Sequence, residues 1–448
     1  MAKLFGTDGV RGKAGEYPLD PPTVRRLGAA LVRALRHENP VAPVRFLVGR
    51  DTRESGDWIE QELARGVSDQ GGQLTSVGVV PTPAVAYLTP LKGFTAGLVI
   101  SASHNPFEDN GIKVFSGAGE KFTEVLEAEV EAIIADTSWS VADAHQAPVT
   151  RVDYRPDYEA HLAEILPPAA RTRRRIAIDC ANGATTTVAP DVFRQLGFET
   201  AVIGNEPDGR NINLQCGSTA PGRLRQVVVD GGYDLGIAFD GDGDRAIFVD
   251  AGGRVVDGDA VMLMCAKAMK AEGRLPGNTI VATVMSNIGL EIALRNAGID
   301  LVRTAVGDKY VMEEMLRRGV VLGGEQSGHV IFSDYLFTGD GLATALGVLR
   351  TMAATGRTLA DLASDLTTYP QVLINLRVKR KVDLQTVPAI AAVMQSVEAR
   401  LAGSGRLLVR YSGTEPLLRV MLEGKDQAEI GRWGQEIIDT VAQHLGTA

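Results

Sequence analysis

The sequence is short of aromatic residues, cysteines and long apolar runs, and each shortage excludes a class of protein. Aromatic residues make up 5% of the 448 residues and the formal net charge is −9, so the stacking platforms and basic surface of a nucleic-acid-binding protein are lacking. The cysteines, Cys180, Cys216 and Cys265, are odd in number and far apart, which favours a reducing, cytoplasmic compartment over a disulfide or zinc framework. No apolar run approaches about 18 residues and no signal-like segment opens the chain, so we expect neither a membrane span nor secretion.

The chain does contain a long alternation of short β-branched runs and helical patterns, which is typical of α/β units. Examples are the predicted strands 97–100, 176–179 and 235–239 and the predicted helices 55–68 and 260–271. After Pro370 the pattern changes to strand, helix, hairpin and a last helix over 427–445, which is typical of a small α+β domain. At roughly 150 residues per domain, we predict an α/β fold class with three similar α/β domains and a C-terminal α+β domain: 1–155, 156–255, 256–370 and 371–448.

The first segment with chemical potential is the serine loop, residues 101–106 (SASHNP), which directly follows an apolar strand. Ligands of open parallel sheets bind beyond the carboxyl ends of the strands. A hydroxyl such as that of Ser103 is a weak nucleophile until a base or a metal activates it. On this segment alone, a plain turn with local hydrogen bonds is the more favoured interpretation.

The second segment is the aspartate loop, residues 240–245 (DGDGDR), between two apolar runs. Asp240, Asp242 and Asp244 can converge on one point. At ~4 Å and an effective dielectric of ~20, each pair then repels by about 4 kcal/mol. A hard cation such as Mg²⁺ removes that repulsion. An EF-hand is excluded because Arg245 and Ala251 stand where that loop requires glycine and glutamate, and an acidic turn remains the alternative.

The third segment is the glycine loop, residues 323–329 (GGEQSGH). Its glycines let the backbone approach a ligand, and Glu325 and Ser327 can bind adjacent sugar hydroxyls. His329 can act as a general acid or base. A glycine-rich hairpin turn with an incidental histidine explains this segment equally well.

The fourth segment lies in the predicted C-terminal hairpin and is suited to a phosphate. Backbone N–H groups, hydroxyls and guanidinium groups form an anion nest there, and the residues concerned are Arg410, Ser412, Gly413, Thr414 and Arg419. The alternative is a hairpin turn with surface arginines. Two further cations, Arg11 in the segment 5–12 (FGTDGVRG) and Lys113, either neutralise a phosphate on Ser103 or lie on the surface.

Together, in order and over essentially the whole chain, these segments resemble the α-D-phosphohexomutase superfamily. The segments 5–12 and 323–329 are particularly similar to the branch that interconverts hexosamine phosphates. The resemblance implies four domains around a central cleft, a hexosamine phosphate substrate, no nucleic-acid or membrane partner, and a homodimer. One departure is visible: Ser101 stands where the family more often has threonine.

The resemblance also implies a role for each site residue. Ser103 would carry the phosphate and, with Asp240, Asp242 and Asp244, hold one Mg²⁺ ion, and a sugar 1,6-bisphosphate would be primer and intermediate. Glu325 and Ser327 would bind sugar hydroxyls. The distal phosphate would contact Arg410, Ser412, Gly413, Thr414 and Arg419. Transfer would be supported by Arg11, His104, Lys113, Arg245 and His329. A hexose phosphate mutase would use the same parts, and a metal-dependent sugar phosphatase is a more distant alternative.

Overall fold

The computed structural model describes residues 4–6, 8–38, 43–142, 147–412 and 417–446. The chain divides into two compact units. The first consists of Met1–Met285 and Ile299–Asp365, and the second of Ser286–Gly298 and Leu366–Ala448. No helix in the described part of the chain has the length and hydropathy needed to cross a membrane.

The first sheet of the first unit has six strands and carries the serine loop. Its strands are β1 (Val10–Lys13), β2 (Arg45–Arg50), β3 (Gln73–Val79), β4 (Ala96–Ile100), β5 (Asp109–Ser116) and β6 (Thr150–Arg151), in the order β1-β5-β4-β2-β3-β6. Its helices are α1 (Pro21–Glu38), α2 (Gly56–Asp69), α3 (Thr82–Leu91) and α4 (Glu124–Ala135). Strands β2 and β4 pair in parallel, so their carboxyl ends lie side by side. All five residues of β4 are buried, and the serine loop therefore leaves a fixed strand end.

The second sheet has five strands and carries the aspartate loop. Its strands are β7 (Arg175–Asp179), β8 (Glu199–Ile203), β9 (Leu235–Phe239), β10 (Ala246–Asp250) and β11 (Val255–Val256), in the order β11-β10-β9-β7-β8. The helices are α5 (Arg155–Ile165), α6 (Ala189–Gln195) and α7 (Gly222–Gly231). Strands β9 and β10 are fully buried and antiparallel, with Phe239 opposite Ala246. The aspartate loop is therefore the tip of a buried hairpin.

The third sheet has four strands and carries the glycine loop. Its strands are β12 (Thr279–Thr283), β13 (Asp300–Thr304), β14 (Leu322–Gly324) and β15 (Val330–Phe332), in the order β13-β12-β14-β15. The helices α8 (Gly258–Ala271), α10 (Asp308–Arg318), α11 (Gly341–Thr355) and α12 (Leu359–Ala363) belong to this region. Helix α9 (Ile288–Asn296), between β12 and β13 in sequence, belongs to the second unit.

The second unit is a three-stranded antiparallel sheet with helices. Its elements besides α9 are β16 (Gln371–Arg377), α13 (Pro388–Leu401), β17 (Arg406–Tyr411), β18 (Leu417–Glu423) and α14 (Gln427–Leu445). The sheet order is β16-β18-β17, and its apolar side chains form a core with α13 and α14. Three α/β sheets followed by this α+β region confirm the predicted fold class.

Candidate active site

The serine loop holds Ser103 in an unusual backbone conformation. Its φ is +53°, in the left-handed region that residues other than glycine rarely adopt. The Ser103 N–H donates to Ser101 Oγ at 2.9 Å, and Ser101 Oγ in turn donates to Asp51 Oδ2 at 2.5 Å. The three residues are almost completely buried. The conformation of Ser103 is thus supported by bonds from inside the domain.

A buried arginine holds the other side of this loop. Arg53 is about 1% exposed, and its Nε donates to Asp51 Oδ2 at 2.8 Å. Its terminal nitrogens donate to carbonyl oxygens of the serine loop and the segment after it: those of Ser103, Asn105, Pro106 and Asp109. Because buried carbonyl groups need hydrogen-bond partners, this one side chain satisfies much of the loop backbone.

Asp51 and Arg53 were not among the predicted site residues. The available signal was their position: Asp51 directly follows strand β2 and Arg53 lies two residues later, where the end of β2 lies beside the end of β4. Only knowledge of the strand order identifies that neighbour, since 45 residues separate β2 from β4 in sequence.

The aspartate loop contacts the serine loop directly. Ser103 Oγ donates to Asp240 Oδ2 at 2.5 Å. Gly241 lies so close that a Cβ at that position would be 2.4 Å from the Ser103 carbonyl oxygen, so a side chain there would push the two loops apart. The structure therefore brings together the two segments that the sequence separates by more than a hundred residues.

The three aspartates form a set of oxygen ligands that fits a hard cation. Asp240, Asp242 and Asp244 are at most 4% exposed, and one carboxylate oxygen from each lies within 4.8 Å of the others. Asp242 Oδ1 is buried and accepts no hydrogen bond from any described residue. A buried carboxylate oxygen without a partner is costly, and a cation with oxygen ligands would satisfy it.

The electrostatics of the triad are unequal. Burial, together with the neighbouring Asp244 and Asp242, raises the pKa of Asp240 well above its usual range. For Asp244 burial acts in the same direction, but Lys113 and His329 outweigh it and hold its pKa well below the usual range. Asp240 thus has less compensating positive charge around it than Asp244.

Lys113 supplies positive charge beneath the aspartate loop. Its Nζ lies 2.8 Å from Asp242 Oδ2, 3.2 Å from Asp244 Oδ2 and 3.1 Å from Asp8 Oδ2. Burial opposes its charge, but these carboxylates outweigh burial and raise the pKa of Lys113 well above its usual value. Lys113 is therefore a buried cation and not a surface residue.

A second group of charges joins His329 to the same loop. His329 Nδ1 lies 3.6 Å from Asp244 Oδ1 and Nε2 lies 3.4 Å from Asp308 Oδ2, while Lys121 pairs with Asp308 and Asp8. Burial disfavours the charged imidazole, yet Asp244 and Asp308 raise the pKa of His329 to about 9. At neutral pH this histidine holds a proton, which favours the acid over the base among its predicted roles.

A cavity of about 600 Å³ opens beside these loops within the first unit. Among its lining residues are Arg11, His104, Arg245, Asp308, Glu325 and His329. Burial and the nearby Arg245 and Arg11 lower the pKa of His104, whereas nearby carboxylates raise the pKa of Arg245 despite its burial. The cavity thus brings guanidinium and imidazole groups together with carboxylates.

The predicted sugar-binding residues lie at the glycine loop. Glu325 lines the cavity and accepts hydrogen bonds from the Gly307 N–H at 3.3 Å and from Ser327 Oγ at 3.4 Å. Ser327 is exposed. An acceptor and a donor therefore lie side by side at the glycine loop, and their binding of sugar hydroxyls stays a prediction.

The predicted phosphate nest belongs to the second unit. Arg410 on β17 lies directly opposite Arg419 on β18, and Ser412 is buried, with its N–H donating to the Leu417 carbonyl at 2.7 Å. Two like charges across a strand pair repel each other, and an anion would relieve that repulsion. Gly413 and Thr414 lie outside the described residues.

Solved structures with the same fold belong to sugar phosphate mutases. A phosphoglucomutase/phosphomannomutase family protein from Burkholderia thailandensis has a TM-score of 0.82 at 24% identity, with 100% of this chain and 98% of that chain covered. A phosphomannomutase, described as putative, from Thermus thermophilus has a TM-score of 0.78 at 24% identity, with 99% of each chain covered. At these identities the likeness concerns the fold.

Relatives identified by sequence share about twice as large a fraction of identical residues with this chain. A phosphoglucosamine mutase of Syntrophotalea carbinolica is 48% identical over 449 residues, covering 99% of this chain and 98% of the relative. One from Solibacter usitatus is also 48% identical, over 454 residues and all of both chains. The phosphoglucomutase/phosphomannomutase α/β/α domains I, II and III match residues 2–140, 156–253 and 257–369, and the C-terminal domain matches 373–440. The chain belongs to the phosphoglucomutase/phosphomannomutase family.

Proposed function

We propose that this chain interconverts glucosamine 6-phosphate and glucosamine 1-phosphate through a phosphoserine on Ser103 and a 1,6-bisphosphate intermediate. The contact of Ser103 Oγ with Asp240 at 2.5 Å is the observation that carries the chemistry. The full-length relatives, named phosphoglucosamine mutases, carry the choice of substrate. The reaction would supply precursors of UDP-N-acetylglucosamine and the cell wall in the cytoplasm.

One Mg²⁺ ion would be held by Asp240, Asp242 and Asp244 together with an oxygen on Ser103. The unpartnered Asp242 Oδ1 and the all-oxygen ligand set fit such an ion. When bound, it supplies positive charge that stabilises the oxygens of the transferred phosphoryl group.

The residues around the ion would stabilise negative charge and transfer protons. Phosphoryl transfer breaks the bond between phosphorus and Ser103 Oγ and forms one to a sugar hydroxyl oxygen, which loses its proton. His104, whose pKa is lowered by burial and by Arg245 and Arg11, can accept that proton, and His329, whose pKa is raised to about 9, can return one to a leaving oxygen. Arg11, Lys113 and Arg245 stabilise the negative charge that the transferred group carries.

The remaining predicted residues hold the sugar in either orientation. Glu325 and Ser327 would bind its hydroxyls. The phosphate that is not reacting would contact Arg410, Ser412, Gly413, Thr414 and Arg419. Because one nest binds whichever phosphate is distal, the same serine can serve both ends of the bisphosphate. A homodimer is proposed from the family resemblance, and light scattering would measure it.

The decisive experiment compares glucosamine, glucose and mannose phosphates side by side, each primed with its bisphosphate. We expect the highest kcat/KM with the glucosamine phosphates, little inorganic phosphate release, and one phosphate on Ser103 by intact mass. Ser103→Ala should lower kcat by at least about a thousandfold, while Ser138→Ala, which changes an exposed serine, should leave it unchanged. Preference for the neutral sugars would indicate a hexose phosphate mutase, and steady phosphate release a phosphatase.

A further inference from the structure

We infer that Asp51, Arg53 and Ser101 are positioning residues for phosphoryl transfer, forming a buried network that sets the backbone of Ser103 and directs its Oγ toward Asp240. The inference rests on the proposed role of Ser103. None of the three residues lines the cavity described above. They act on the reaction through the serine loop.

The guanidinium of Arg53 has no donor left for a substrate. A guanidinium has five N–H groups, and five acceptors surround this one: Asp51 Oδ2 and the carbonyl oxygens of Ser103, Asn105, Pro106 and Asp109. The side chain is fully buried. Arg53 therefore binds loop backbone and not a phosphate, although arginine is the common phosphate ligand.

The network holds both backbone polar groups of Ser103. Its carbonyl accepts from Arg53 Nη2 at 3.0 Å, and its N–H donates to Ser101 Oγ at 2.9 Å. Asp51 joins the two sides, because it accepts from Arg53 Nε at 2.8 Å and from Ser101 Oγ at 2.5 Å. The hydrogen bonds thus run from one backbone group of the nucleophile to the other.

Such support matches what the conformation of Ser103 requires. A serine at φ +53° is strained, and strained residues persist where the surroundings over-determine them. If the loop relaxed to negative φ, Ser103 Oγ would move away from Asp240. A displacement of about 1 Å at a reacting atom can lower the rate by about a hundredfold.

The test uses a matched pair of substitutions at Ser101. Ser101→Ala removes the hydroxyl that joins Asp51 to the Ser103 N–H, whereas Ser101→Thr keeps it. We expect Ser101→Ala to lower kcat by about tenfold or more, with KM for the sugar phosphate within about twofold, because substrate contacts are unchanged. Ser101→Thr should restore kcat to within about twofold, since only the hydroxyl matters to the network.

Hydrogen–deuterium exchange provides a readout that does not depend on activity. In Ser101→Ala, and more strongly in Arg53→Lys, we expect faster exchange in the segment 101–110 and unchanged exchange in β9 and β10. Lysine keeps the positive charge but offers only three donors from one nitrogen.

The outcomes separate this inference from the proposed function. Wild-type kcat in Ser101→Ala, or a raised KM with kcat unchanged, would overturn the inference while leaving the mutase proposal standing. A wild-type protein inactive on all sugar phosphates would overturn the proposed function, and the inference with it, whatever the exchange pattern of the serine loop. Lowered kcat, rescue by threonine and local loss of protection together would support the inference.

Discussion

The serine loop and the aspartate loop meet in one site, yet their polar groups are satisfied in opposite ways. In the serine loop and the segment after it, one buried arginine donates to four backbone carbonyls, including that of Ser103. In the aspartate loop, three carboxylates are buried together, and Asp242 Oδ1 accepts no hydrogen bond from the described residues. One loop is complete within the protein, whereas the other requires a ligand.

This difference separates residues that position from residues that bind. A network whose donors and acceptors are all paired gains stability from folding alone. A cluster of partly unpaired charges lowers the stability of the free protein, and a bound ion or substrate that pairs with those charges raises it. We therefore expect substitutions in the two loops to change stability in opposite directions.

The largest expected effect comes from Arg53→Ala in the serine loop. It leaves the buried Asp51 carboxylate and four backbone carbonyls in and after the loop without this donor, so the free energy of unfolding should fall by about 3–5 kcal/mol. Arg210→Ala is the control, because Arg210 is largely exposed and pairs with Glu54 on the surface, where a pair contributes at most about 1 kcal/mol. Urea denaturation measures both, and equal losses for the two variants would contradict the comparison.

Asp340, a buried carboxylate outside both loops, allows the cost of a buried charge to be tested by changing the pH. Asp340 caps α11 and accepts hydrogen bonds from the Ala343 N–H at 2.9 Å and the Tyr158 hydroxyl at 2.7 Å, but it has no ion-pair partner among the described residues. Burial raises its pKa from 3.8 to about 6. Asp340 therefore has hydrogen-bond donors, but no cation among the described residues balances its charge.

The sign of the pH effect follows from that shift. The ionised Asp340 destabilises the fold, so the cost is absent below about pH 4 and complete above about pH 6, reaching at most about 3 kcal/mol. Asp340→Asn keeps the cap and removes the charge, so its stability relative to wild type should rise between pH 4 and 7. Asp426→Asn makes the same exchange at the exposed cap of α14 and controls for the loss of a capping carboxylate. A difference between Asp340→Asn and wild type that is constant with pH would contradict this account.

Local patterns predicted much of this architecture. The prediction of β9 at 235–239 and of α14 at 427–445 is confirmed residue for residue, because continuous apolar runs and a strong helical period leave few alternatives. The serine, aspartate and glycine loops also follow or join buried strands, as their flanking sequences indicated. The predicted domain boundaries at 155, 255 and 370 stay a prediction.

Partnerships across domains were beyond the reach of sequence patterns. Lys121 and Asp308 are 187 positions apart and pair only because the first and third sheets are brought together. From the sequence alone Arg53 is expected to be an ordinary surface arginine, and only the pairing of β2 with β4 shows that it lies beside the serine loop. The convergence of Arg410, Ser412 and Arg419 on the phosphate of a sugar likewise stays a prediction.

The smallest expected effect on stability comes from Asp240→Asn, and its sign is the sharpest test of the comparison. Asparagine can accept from the Arg245 N–H, which donates to Asp240 Oδ1 at 3.1 Å in the wild type, while its amide donates to Ser103 Oγ. Because burial and the other two aspartates raise the pKa of Asp240, removing its charge should stabilise the metal-free protein by about 1–2 kcal/mol.

Mg²⁺ should raise the melting temperature of the wild type but not of the variant, since only the intact triad binds the ion. Asp191→Asn, at an exposed aspartate paired with Arg194, should leave both the stability and the Mg²⁺ response as in wild type. A variant less stable than wild type without metal would mean that the aspartate loop, like the serine loop, is complete without a ligand.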